Sequence, residues 1–327
     1  MKTIRSFFLL ISIPSLLFSA CQKDKAEKVE PVPVVDSVAC GSDALVLSLT
    51  PTVESLPLYY AEKTGIFDTL GLKVSLRTYA SQFDCDTAML GTTAIGGSSD
   101  LVRLHYYAAQ GDRLTAVTGL DGRWALLSSG VLRIKKTASL KDRMVAVARF
   151  SSSDIYSKEA VEAAKLEYAD VFRPQVNDHR LRAAMLNNNQ IDAAILPEPF
   201  LTQAKLAGHP VLYQIPEKSG RMGCLVFQSS VLKDKKTAGQ VRLILKAYNQ
   251  AVAEINQKGG EVCHDIFKND YQIPKEVMAK LKLPKYRKAE LPTDAEIKKA
   301  QDFLKLQGRW KKSETPSYLF NGDLLPK

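Results

Sequence analysis

Histidine is scarce in this chain: His105, His179, His209 and His264 are all that 327 residues contain. The five cysteines, Cys21, Cys40, Cys85, Cys224 and Cys263, stand far apart, so no stretch carries the paired spacing of a zinc site and no metal is expected. Aromatic residues make up 8% of the chain and do not alternate with its basic residues, which leaves no stripe suited to nucleic acid. No serine stands in the glycine frame of a hydrolase nucleophile elbow, and no order of serine, histidine and aspartate suggests one. Beyond the N-terminal residues no apolar run is long enough to cross a bilayer. Lysine and arginine exceed aspartate and glutamate by 45 to 35, a formal charge of +10. Scattered lysines such as Lys233, Lys235, Lys236, Lys298 and Lys299 make that excess a solvated surface.

What is present begins at the N-terminus. Lys2 and Arg5 precede an apolar run over residues 7–17, and Phe18, Ser19 and Ala20 lead to Cys21. The charged start, the short apolar core and the small residue before a cysteine resemble a bacterial lipoprotein signal, with residues 1–20 removed and Cys21 acylated. Phe18 replaces the leucine expected three positions before the cysteine. Residues 21–42 are charged, then proline-rich at Pro31 and Pro33, and read as a tether. The mature protein is then expected in the cell envelope, anchored to a membrane through lipid and facing the periplasm or exterior. With Cys21 lipidated, the other four cysteines permit two disulfides in an oxidising compartment, in any of three pairings.

From Ala44 onward strand and helix signals alternate, the pattern of an α/β fold with parallel sheets covered by helices. Apolar residues 44–50 read as a strand stopped by Pro51, and 56–65 as a helix closed by Gly65. Residues 72–79 alternate as a strand, 84–90 start a helix with acidic residues, and 93–97 form a short strand. Ser98, Ser99 and Asp100 then cap a helix over 101–110, and 114–118 is the next strand. A second cycle runs from a strand at 144–148 through Ser151, Ser152 and Ser153 into a helix, with Pro174 restricting 171–176 to a sheet edge. A helix over 181–189 ends on asparagine, and strands follow at 193–196, 211–214 and 224–228. Val241, Ile244, Tyr248, Val252 and Ile255 repeat at the helical period, and 275–310 continues as amphipathic helices. This order predicts two lobes, one from 43–123 and 229–327, the other from 124–228, with a helical tail returning to the first. The chain is expected to cross between them near 126–130 and 222–228 and to hinge there.

The stretch from Leu56 to Phe67, followed by Gly71, Leu72, Lys73 and Val74, resembles the opening of type II periplasmic substrate-binding proteins of ABC importers. The group is the one that binds alkanesulfonates, nitrate and the pyrimidine precursor of thiamine. Asn188 to Ala194, followed by Pro197, Glu198, Pro199 and Phe200, is similar to its second-lobe signature. The resemblance implies a two-lobed α/β fold, each lobe a mostly parallel sheet, and a ligand held in the cleft between lobes. It implies ABC permease and ATPase subunits as partners, a monomeric state, no cofactor and no catalysis.

Carried over, the resemblance places Thr50 and Pro51, Ser98, Ser99 and Asp100, and Ser151, Ser152 and Ser153 at the cleft. Free amides and hydroxyls at helix starts can hold an anionic or polar group there. Ser98, Ser99 and Asp100, and likewise Ser151 to Asp154, also read as ordinary helix caps. Glu198, between two prolines, either faces the cleft, the reading favoured here, or braces its turn. Trp124 either stacks on a planar ligand or packs the hinge. The serines and nearby Arg149 suit a sulfonate-like anion; Asp100, Glu198 and Trp124 suit an aminopyrimidine-like heterocycle, and carboxylates facing a cleft favour the second. The alternatives are an enzyme on the same fold, a pyrimidine-precursor synthase or a dehydratase, and a surface lipoprotein without a ligand.

Overall fold

The computed structural model describes residues 44–326; the signal, Cys21, the tether and Cys40 lie outside them. Five strands form the first sheet: β1 (Leu45–Leu49), β2 (Val74–Thr78), β3 (Gly96–Asp100), β4 (Leu114–Leu120) and β9 (Gly223–Gln228), in the order β2-β1-β3-β9-β4. Four form the second: β5 (Trp124–Ser128), β6 (Val145–Ala146), β7 (Ala193–Pro197) and β8 (Val211–Gln214), in the order β6-β7-β5-β8. The fold is α/β and two-lobed, as expected.

The sheets are mixed where mostly parallel ones were expected. β1 pairs in parallel with β2 and β3, and β6 with β7, but β9 runs antiparallel to β3 and β4, and β5 antiparallel to β7 and β8. β5 and β9 are the first strands after the chain changes lobes. Each inserts into the middle of its sheet from the opposite direction, and the antiparallel pairings follow.

The crossings correct the expected boundaries. β4 belongs to the first sheet and β5 to the second, so the first crossing is Asp121, Gly122 and Arg123; residues 126–128 lie inside β5. The return occurs over 215–222, and β9, expected to end the second lobe, pairs within the first sheet. Arg221 ties this return to the chain's last third. Its side chain meets Glu290 at 2.7 Å, and its amide donates to Glu296 Oε1 at 2.5 Å.

Helices fill the connections. In the first lobe these are α1 (Leu56–Lys63), α2 (Ile66–Thr69), α3 (Gln82–Leu90) and α4 (Leu101–Gln110). In the second they are α5 (Ser152–Ala163), α6 (His179–Asn187) and α7 (Phe200–Leu206). α6 ends as its asparagines suggest, Asn189 taking a left-handed φ of 55°. Segment 171–176 forms no full strand. It touches β6 and its flanks through isolated bridges at Phe172 and Gln175, the edge position Pro174 allows. The long α8 (Lys235–Lys258) buries Val241, Ile244, Tyr248, Val252 and Ile255 against α1 and the first sheet. The expected helical tail is shorter than its pattern: α9 (Lys275–Met278) and α10 (Asp294–Leu306) are separated by non-helical chain around Pro284 and Pro292, where proline removes helical donors. α10 carries a full capping box between Thr293 and Glu296 and packs on α4.

Among the described residues Cys85, Cys224 and Cys263 are buried and free, so the disulfides that the cysteine count permits are not formed among these three. Among the described residues no helix is long and apolar enough to cross a membrane.

Candidate functional site

The carboxyl ends of β1 and β3, the start of α5 and the first crossing converge between the two sheets. Asp100 ends β3 and is the N-cap of α4, its Oδ1 accepting from the Arg103 amide at 2.9 Å. Its other oxygen reaches the opposite lobe and accepts from the Ser152 amide at the start of α5, at 3.1 Å. Burial raises its carboxyl from 3.8 to about 6, against the pull of the Arg103 guanidinium and the two amides.

The serines beside it are engaged in local structure. Ser98 Oγ accepts from the Thr50 amide at 3.3 Å, and Gln82 donates to the Ser98 carbonyl. Ser99 donates to Asp86 at 2.9 Å. Asp86 forms a buried ion pair with Arg103, whose Nη2 donates to the Tyr107 hydroxyl at 2.6 Å. In the other lobe Ser151 caps α5 and donates to the Ala148 carbonyl at 2.7 Å, and Ser153 Oγ accepts from the Ala148 amide at 2.9 Å. Ser151 and Ser153 therefore hold the turn between β6 and α5, and Ser152 contributes its amide to Asp100. Thr50 and Pro51 are buried at the end of β1, with the Thr50 hydroxyl 3.3 Å from that of Thr52.

Trp124 opens β5 and is anchored rather than free. Its indole Nε1 donates to Glu54 Oε1 at 3.0 Å, and its ring lies 5.7 Å from both Tyr156 and His179. Glu54, on the loop between β1 and α1, is the residue the sequence reading passed over. Its carboxyl is wedged beside the first crossing and the start of β9: a Cβ on Gly122 would clash with Oε1, and one on Gly223 would stand 3.0 Å from it. Burial raises it from 4.5 to about 7; the Trp124 N–H opposes that shift, while the charges of Asp100 and Asp121 add to it. The only early signal was an acidic residue in a buried loop at a strand's carboxyl end, a position the reading credited to Thr50 and Pro51 alone.

Glu198 turns away from the favoured direction. Its backbone is at the junction, the carbonyl accepting from the Val53 amide at 3.2 Å, but its carboxylate accepts from the Thr202 amide at 3.0 Å and hydroxyl at 2.9 Å. It caps α7, whose preceding Pro199 offers no side-chain acceptor. Among the described residues Nδ1 of His179, whose ring lies against Trp124, and Nε of the adjacent Arg123 are buried without a partner. Burial and the charge of Arg182 keep His179 neutral, so its ring can exchange one hydrogen bond without carrying charge.

Residues 52–259, more than half of the chain, match the family described as NMT1/THI5 like. The chain belongs to that family. No curated protein sequence matches it. Several solved structures share its fold. The alkanesulfonate-binding protein SsuA from Xanthomonas axonopodis pv. citri, bound to MOPS, is 16% identical at a TM-score of 0.71, covering 84% of this chain and 96% of that one. The periplasmic nitrate-binding protein NrtA from Synechocystis is 15% identical at 0.69, covering 86% of each. The desulfurization enzyme DSZB is 15% identical at 0.59, covering 83% and 94%. The two-lobed architecture is thus the periplasmic binding protein fold, and it carries both binding proteins and an enzyme.

Proposed function

We propose that this chain is a lipid-anchored, extracytoplasmic solute-binding protein that captures a small, flat, donor-rich solute between its lobes and delivers it to an ABC importer. The observation that carries the reading is the pair of carboxyls, half-buried Glu54 and buried Asp100, set beside the rings of Trp124, Tyr156 and His179 where the lobes meet. A ring bearing amino groups offers donors to the carboxyls and a face to the aromatic side chains. A sulfonate or nitrate would meet the like charge of Asp100 there, with Arg103 already paired to Asp86 and only the guanidinium of Arg123, whose Nε has no partner among the described residues, at hand to offset it. The family match and the binding proteins that share the fold support the transport role. The lipid anchor rests on the order of residues before Cys21.

An enzyme on this fold that works through a cysteine nucleophile needs a thiolate. The thiols of Cys85 and Cys224 are held neutral by burial, and that of Cys263 is pushed up to about 12, so none supplies a thiolate. Calorimetric titration with a 4-aminopyrimidine and with methanesulfonate separates the readings. Saturable binding of the pyrimidine alone supports the proposal, binding of methanesulfonate alone contradicts the ligand class, and turnover of the bound compound favours the enzyme.

A further inference from the structure

The first turn of α5 is nearly satisfied from within. The Ser153 amide donates to Ser151 Oγ at 3.2 Å, and the Asp154 amide to the Ser151 carbonyl at 3.0 Å. One amide of that turn remains, and Ser152 gives it to Asp100 Oδ2 from the other lobe. The hydroxyls of Ser151 and Ser153 are likewise engaged with each other and with Ala148. The positive end of a twelve-residue helix therefore has a carboxylate seated on it, 5% exposed, supplied by the chain itself.

We propose that Asp100 is a built-in anion: it occupies the seat at the start of α5 that an acidic ligand would otherwise take, and so fixes ligand choice by exclusion while latching the two lobes together. The inference rests on the solute-binding reading in one respect, that the lobes separate to admit a solute. Asp100 suits the task because its two oxygens serve different lobes, one capping α4 and one bound to Ser152. An acidic ligand has to displace this carboxylate and then bear its charge close by. A donor-rich ligand leaves the latch in place.

Two substitutions address the contact from opposite sides. Asp100→Ser keeps an N-cap for α4 but is too short to reach α5. Ser152→Pro removes the donating amide at the first position of the helix, where proline is well tolerated, and Ser151 before it already has the extended backbone that proline requires. Methanesulfonate is titrated into wild type, Asp100→Ser and the double variant. The expected result is no binding to wild type at millimolar concentration, binding to Asp100→Ser tighter by roughly tenfold or more, and loss of that gain in the double variant. Ser152→Pro alone is followed by small-angle X-ray scattering, where a larger radius of gyration than wild type is expected. Wild type binding methanesulfonate as tightly as Asp100→Ser, no gain in Asp100→Ser, a gain that survives in the double variant, or an unchanged radius in Ser152→Pro overturns the proposal. Wild type binding methanesulfonate counts against the ligand class as well, whereas no gain in Asp100→Ser, a gain that survives in the double variant or an unchanged radius in Ser152→Pro counts against the latch alone, so the latch and the transport role fail separately.

Discussion

The indole N–H of Trp124, the first residue of the second sheet, donates to the carboxyl of Glu54 in the first lobe at 3.0 Å, beside Gly122 of the first crossing and Gly223 at the start of β9. This one bond joins the floor of the lobe junction to its aromatic wall. It also lets an otherwise isolated carboxyl remain half-buried, because a donor offsets part of the desolvation.

The Glu54 carboxyl, ordinarily at 4.5, is raised to about 7, so the folded protein holds this proton more tightly than the unfolded chain. The stabilisation is complete below pH 4.5 and is lost as pH rises through 7, amounting to about 3 kcal/mol across that window. Asp100, raised to about 6, contributes in the same direction. Glu54→Gln, which keeps the acceptor for Trp124, is expected to flatten the fall. Urea unfolding of both proteins at pH 5 and pH 8 checks this, and equal pH dependence in the two would contradict it.

Trp124→Phe removes the donor and leaves Glu54 half-buried without it, an expected loss of about 1 to 3 kcal/mol of stability. Trp124→Ala also vacates the space against Tyr156 and His179, with an expected loss of about 3 to 5 kcal/mol. Chemical denaturation of both variants measures these losses. A cost below that of an exposed substitution in either would show that the ring does not hold the junction.

Much of this was legible because caps and alternation are local. Asp100 and Ser151 cap α4 and α5 as their positions before apolar runs suggest, and Asn189 ends α6 in the left-handed conformation. The partners these caps find are not local. That Asp100 also reaches Ser152, 52 residues away, depends on how two sheets meet, and nothing in either segment encodes it. Glu198 misled for the same reason: two flanking prolines fix its backbone, but the choice between cleft and α7 is made by Thr202 one turn later. Glu54 was passed over because a lone glutamate before a helix reads as an ordinary surface residue. The even cysteine count suggested pairing, yet Cys85 and Cys224 sit as small apolar side chains on different elements of the core.

The buried pair of Asp86 and Arg103 sets another expectation. Removing one partner strands the other charge, so Asp86→Asn should cost about 3 to 5 kcal/mol. Adding Arg103→Met to that variant should recover part of the loss, since no unpaired charge is then buried. Differential scanning calorimetry of the single and double variants checks the order, and a double variant less stable than the single would contradict it.

At the N-terminus, Cys21→Ser is expected to leave an uncleaved, unlipidated precursor. Metabolic labelling with palmitate reads this directly. Label entering the Cys21→Ser protein, or none entering wild type, would contradict the anchor.

The central claim is that the junction around Glu54 and Trp124 holds a small donor-rich solute. Native mass spectrometry of the protein purified from its own host, with Glu54→Gln prepared in parallel, tests it most directly. The account predicts a retained small molecule on wild type, rich in nitrogen and free of sulfonate, and its loss or strong depletion from Glu54→Gln. A sulfonate or other anion retained on wild type, or the same compound held equally by both proteins, would contradict it.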